Sequence, residues 1–227
     1  MTVTDYDKPG SSAGTRHESL ASLLGGGGAA LDATLPVVAF TGGWLLADRS
    51  VLWGALAAVV VAGLVAAWRL CSGKRPRAVL IGILAVCASA AIAVYTGRPE
   101  DFFLLQILSN VASAVAWALS IVLRWPLLGV VVGGVLGQKA RWRRDPALLR
   151  AYSRASWVWV GQYVIRVAAF VPLWNGGQVA GLTGARIVLS WPLVAACLAV
   201  SWWVLRRALP PGHPGLRHPV VTDAAEL

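Results

Sequence analysis

Six apolar stretches, residues 31–47, 51–68, 78–95, 102–123, 156–174 and 185–205, constrain this chain more than any other feature. Each approaches the roughly 20 apolar residues that a helix needs to cross a hydrocarbon layer of about 30 Å. Hydrocarbon offers no partner for an open backbone N–H or C=O, so such segments form helices that satisfy their own polar groups. A soluble fold would cover these runs with a coat in which roughly a quarter of all residues are charged. Here 13% are charged and 57% hydrophobic. The sequence therefore excludes a water-soluble domain and predicts an all-α, polytopic transmembrane helix bundle.

A seventh apolar run, residues 125–138, has 14 residues and opens on Trp125-Pro126. As a helix it would rise about 21 Å, too little to span comfortably. The distribution of Lys and Arg decides its side. With six crossings one face collects Lys8, Arg16, Arg69, Lys74, Arg75, Arg77, Arg124, Lys139, Arg141, Arg143, Arg144, Arg150, Arg154, Arg206, Arg207 and Arg217, and the other Arg49, Arg98 and Arg186. A seventh crossing would exchange the later loops and erase that bias. The expectation is a multi-pass protein of the cell (inner) membrane with six crossings and both termini cytoplasmic. Residues 125–138 then form a re-entrant or interfacial segment on the cytoplasmic side. Gly129, Gly133 and Gly137 recur every four residues, which either gives a helix one bare face for close packing or reflects the abundance of glycine in membrane helices. Nine of the 12 Trp lie within four residues of a proposed helix end, as an interfacial aromatic belt requires.

Residues 1–30 and 208–227 are polar, glycine-rich or proline-rich and read as disordered cytoplasmic tails around a transmembrane domain of residues 31–207. The glycines at 25–28 lack the Gly-Lys-Ser/Thr ending of a phosphate-binding loop. Cys71, Cys87 and Cys197 form no C-x-x-C pair, and His17, His213 and His218 all lie in the tails. No metal site, cofactor or catalytic constellation is expected, and the chain reads as non-enzymatic.

Ionisable groups inside a membrane helix are expensive and mark candidate sites. Arg166 is the deep one, eight residues before Trp174 and roughly 12 Å of helix rise below it. Asn110 lies eight residues into the fourth stretch, at the same depth, with Gln106 one turn above it. Together with Gln162 these form a candidate polar layer, with Glu100 and Asp101 as candidate outer acidic partners that Arg166 could reach by snorkelling. The layer is either a site for an anion or polar solute or an interhelical clamp. Asp32 reads as the cap of the first helix.

The most charged stretch carries Lys139, Arg141, Arg143, Arg144, Arg150 and Arg154. Asp145-Pro146 is a helix start, and Leu148, Leu149 and Tyr152 give the next turns an apolar side, so a short amphipathic helix is expected before the fifth crossing. Its basic groups are candidate contacts for anionic lipids on the cytoplasmic face, or orientation signals alone. No nucleic-acid-binding fold surrounds them. An internal echo, IVLRWPL at residues 121–127 and IVLSWPL at 187–193, is expected to fall at the end of one helix and within another.

A resemblance is carried by Leu35-Pro36, by Thr96-Gly97-Arg98-Pro99-Glu100-Asp101-Phe102-Phe103, by Arg124-Trp125-Pro126-Leu127, and by Trp142-Arg143-Arg144-Asp145-Pro146-Ala147-Leu148 with Arg150-Ala151-Tyr152. On these residues the chain resembles the actinobacterial integral membrane family described as domain of unknown function 3159. It is also distantly similar to intracellular septation protein A. The resemblance covers about residues 31–207 and implies a part in cell-envelope maintenance or division through membrane-protein partners or a second copy. It brings no catalytic residues. Septation-type proteins also place a cytoplasmic proline-led segment between the fourth and fifth crossings, but a more charged one than residues 125–138. The expected function is a non-enzymatic septation-type membrane protein. The alternative is a small-solute or ion transporter or channel using the layer around Arg166 and Asn110.

Overall fold

The computed structural model describes residues 26–73, 76–137 and 141–210, with side chains described from Thr34 onward. Lys139, the side chain of Asp32 and most of both tails lie outside the described residues. Every described element is helical. In chain order these are α1 (Gly26–Leu46), α2 (Val51–Cys71), α3 (Pro76–Thr96), a 3-10 turn (Pro99–Phe103), α4 (Leu104–Val122), α5 (Leu127–Val135), a second 3-10 turn (Arg141–Arg144), α6 (Pro146–Asn175), α7 (Val179–Val188) and α8 (Trp191–Ala208). Five segments are long and apolar enough to cross a membrane: α2, α3, Pro99–Val122, α6 and Val179–Ala208. The chain is thus built as a multi-pass membrane protein. The expected first crossing falls in α1, whose apolar stretch Thr34–Leu46 is shorter than a span.

Small residues set the closest approach. Gly54, Ala58, Ala62 and Ala66 recur every four residues along α2 and are buried, so they form a low face against which neighbouring backbones can lie. A Cβ on Gly54 would sit 2.9 Å from the Phe40 carbonyl oxygen of α1, and one on Gly43 would sit 2.9 Å from Ala57 Cβ.

α6 is the axis of the bundle, packing on α4, α5, α7 and α8. Asp145 caps it, its carboxylate accepting from the N–H groups of Ala147 (3.0 Å) and Leu148 (3.1 Å). The expected short amphipathic helix is therefore the first turns of one continuous 30-residue helix, because the cap is strong and nothing between Pro146 and the apolar stretch breaks the backbone. At one end α6 enters a core of Trp142, Leu148, Tyr152, Leu128 and Leu205. At the other, Phe170 joins Phe40, Phe102, Phe103 and Leu182, with Phe40 and Phe102 stacked at 4.0 Å.

The disputed apolar run forms α5, nine residues packed on α6 and the second 3-10 turn. It rises about 13 Å and does not span. Gly129 and Gly133 are its buried face, and a Cβ on Gly129 would meet the Trp142 ring at 2.8 Å. Gly137 plays another role, ending the segment with φ +66°. A Gly129→Val substitution is expected to displace Trp142 and cost about 1–3 kcal/mol, read as a lowered melting temperature in detergent.

The last expected crossing is corrected most. Residues 185–205 are not one helix: α7 ends at Val188 and α8 begins at Trp191. Both copies of the echo therefore end a helix, not one as expected. Leu123 and Leu189 N–H each donate to the carbonyl four residues back (2.9 and 2.8 Å), and Arg124 and Ser190 N–H donate to Ile121 and Ile187 (3.0 and 3.4 Å). The copies diverge at the next dihedral. Arg124 takes φ +53° and the chain turns away into α5, whereas Ser190 stays at φ −84°, ψ −97° and the chain resumes as α8.

Candidate solute site in the broken last crossing

Pro192 has no N–H, so the carbonyl of Val188, four residues earlier, loses its helical donor. Ser190 closes the end of α7 itself, its Oγ donating to the Ile187 carbonyl at 2.8 Å. The break lies eleven residues from Val179 within the Val179–Ala208 span, about 17 Å of helix rise. Open backbone groups at such a depth are tolerated only where they face protein or a cavity. Here a cavity of about 240 Å³ opens beside the break, lined by Gln106, Asn110, Arg166, Arg186, Ser190 and Trp191 among others.

Three residues of the expected polar layer, Gln106, Asn110 and Arg166, line this cavity, and Gln162 is not part of its lining. Gln106 Nε2 donates to Asn110 Oδ1 at 3.3 Å, one turn along α4. Arg166 Nη2 donates to the Ser190 carbonyl at 3.4 Å, the N-cap carbonyl of α8, which also accepts from the Val194 N–H at 3.2 Å. Arg186, expected on the outer face at the start of the last crossing, donates from Nη1 to Gln106 Oε1 at 2.7 Å. Gln106 and Arg186 also line a second cavity of about 320 Å³ between α2, α3 and α4, so this pair is a shared wall.

Three groups at this level have no hydrogen-bond partner: Asn110 Nδ2, Gln162 Oε1 and Arg166 Nε. Asn110 and Gln162 are each only 2% exposed. A buried polar group left dry costs about 1–3 kcal/mol. No carboxylate lies among the described residues lining the cavity.

Glu100 and Asp101 do not serve Arg166, contrary to expectation. They are buried in the first 3-10 turn, where Asp101 accepts from Trp174 Nε1 at 2.8 Å and Glu100 from Arg98 Nε at 2.7 Å. The Glu100 carboxylate holds Arg98 further into its charged form. The Arg166 guanidinium is instead bonded to the Ser190 carbonyl at the break. At the opposite end Arg141, Arg143, Arg144, Arg150 and Arg154 are exposed, and Arg143 stacks on Trp125 at 3.8 Å. No group of three metal-ligating side chains occurs among the described residues.

A family model described as protein of unknown function, DUF3159, matches residues 24–212. The chain belongs to this family. No curated protein and no solved structure matches it. In this DUF3159 member the matched region takes in every described helix. The family description names no activity, so function has to be argued from the site.

Sequence reasoning missed Arg186 and Ser190. Gly176-Gly177-Gln178 marks a helix end before Val179, and the echo around Trp191-Pro192 marks the break. Both signals were hidden inside an apolar run that hydropathy alone treats as uniform.

Proposed function

We propose that this membrane protein binds a small solute bearing a negatively charged group at the break between α7 and α8 and passes it across the bilayer. The observation that carries this is Arg166, a half-buried cation with a buried unpartnered Nε and no ion pair among the described residues. Pro192 leaves the first turn of α8 presenting the N–H groups of Trp191 and Leu193, which have no intrahelical acceptor. A helix N-terminus favours negative charge. An anionic group in the cavity would therefore meet Arg166, Asn110 Nδ2 and that terminus together. Interrupted helices meeting a solute near the membrane midplane are a recurrent transporter device. The bias of basic residues supports an inner-membrane protein with the Arg141–Arg144 end facing the cytoplasm.

Purified protein in liposomes loaded with formate, acetate, chloride or phosphate tests this against choline and glycerol as cationic and neutral controls. Counterflow of at least one anion, absent for the controls, is the expected result. Absence of flux for the whole panel would remove the transport reading. It would favour the other function carried by the resemblance, a septation-type role through envelope or division partners.

A further inference from the structure

Among the described residues, seven buried side-chain polar atoms have no hydrogen-bond partner: Asn110 Nδ2, Tyr152 OH, Ser156 Oγ, Trp159 Nε1, Gln162 Oε1, Arg166 Nε and Ser201 Oγ. They are not scattered. Five lie on α6 at positions 152, 156, 159, 162 and 166, steps of three and four that keep them within one face of the helix. Asn110 belongs to α4 and Ser201 to α8, the two helices that flank this face. Trp117 stacks on Trp159 at 5.3 Å, which sets α4 against α6 and brings Asn110 level with Arg166. The Arg166 to Ser190 bond sets α8 against α6 and brings Ser201, eleven residues on, level with Ser156. Elsewhere in the bundle hydroxyls find protein partners, as with Thr41 and Thr183, whose Oγ1 atoms are 2.6 Å apart. Among the described residues, only this seam leaves them open.

From the seam we infer that α4, α6 and α8 enclose a file of bound water running from the Arg166 cavity to the basic end of the bundle. Successive groups on α6 stand about one turn, or roughly 5.4 Å, apart. One water with two hydrogen bonds of about 2.8 Å bridges such a gap. Buried polar groups that lack protein partners are the sites where structural water is held. Tyr152 and Ser156 are 0% exposed, so neither reaches bulk solvent directly. Beyond Arg166 the other end is shut by the packed Phe40, Phe102 and Phe103 rings and by the Trp174 to Asp101 bond. The file therefore links the cavity to the Tyr152 hydroxyl, inside the buried core of Trp142, Leu128, Leu148 and Leu205 at the basic end.

Radiolytic hydroxyl labelling of the full-length protein in liposomes, in ¹⁸O water and without added solute, tests the file. Tyr152 and Trp159 are expected to gain ¹⁸O at least ten times faster than Phe40 and Phe103, after correction for intrinsic reactivity. Equal, slow labelling of all four would overturn the inference. A Ser156→Ala, Ser201→Ala double variant removes two rungs and is expected to lower labelling of Trp159 several-fold. Unchanged Trp159 labelling in that variant would also overturn it. Because no solute is present, the outcome is separable from transport. A wet seam without anion flux leaves the file standing and removes the transport reading, and a dry seam with flux does the reverse.

Discussion

An Arg166→Gln variant is expected to bind anions about 30-fold more weakly or worse while melting at a higher temperature than the unmodified protein in the absence of anion. The two effects have one cause. Arg166 spends its guanidinium on a single 3.4 Å bond to the Ser190 carbonyl and leaves Nε unpartnered. Holding a half-buried cation with no counter-ion among the described residues is unfavourable, so a neutral side chain of similar reach relieves the empty protein. With an anion in place the same cation is the stronger partner, and removing one member of a buried charge pair costs roughly 2–5 kcal/mol of binding. A packing clamp makes the opposite prediction, because loss of the bond that ties α6 to the helix break would lower stability. Thermal melts with and without acetate separate the two roles.

A Pro192→Ala variant should also exchange binding for stability, through the backbone instead of charge. Alanine restores an N–H at the position where Val188 needs its helical donor, so α7 and α8 can join into one helix. The gain is on the order of 1–3 kcal/mol, the scale of relieving an interior proline. Joining them pairs the first N–H groups of α8 internally and withdraws them from the cavity. Ser190 would also turn from its present φ −84°, ψ −97° and carry its carbonyl away from Arg166. The expected result is a raised melting temperature with anion affinity reduced at least tenfold. Lower stability in this variant would mean that the break is imposed by packing and not by Pro192. Trade-offs of this direction are common where a site holds strained or unpaired groups.

The membrane architecture was legible in the chain because its cause is local. Uninterrupted apolar runs and the scarcity of charge follow from hydrocarbon on either side of a helix, and neighbours do not change that. The non-spanning α5 was legible for the same reason, since 14 apolar residues opening on Trp125-Pro126 are too short whatever surrounds them. Arg166, Asn110 and Gln106 were found by depth, and all three line one cavity, whereas Gln162 is not part of its lining.

Partner choice was less legible. Glu100 and Asp101 were the nearest acids to Arg166 along the outer turns, yet they are captured by Arg98 and Trp174. Which donor reaches a carboxylate first depends on how the 3-10 turn Pro99–Phe103 folds against α6, and hydropathy carries no trace of that. The break at Ser190 was hidden differently. Trp191-Pro192 sits inside a strongly apolar run, and a proline there either kinks a helix or ends it, according to tertiary packing. With the break unseen, Arg186 was placed at the outer start of the last crossing, although it lies one turn before the break and donates to Gln106.

The central claim is that Arg166 holds an anionic group at the broken crossing, and ligand-induced stabilisation tests it most directly. A molecule that binds only the folded state raises stability by RT ln(1 + [L]/Kd). The melting temperature of the purified protein would be followed against formate, acetate, chloride and phosphate at constant ionic strength, for the unmodified chain and for Arg166→Gln. A concentration-dependent rise for at least one anion in the unmodified chain, lost in the variant, is the predicted result. No rise for any of the four, or an equal rise in both proteins, would contradict it.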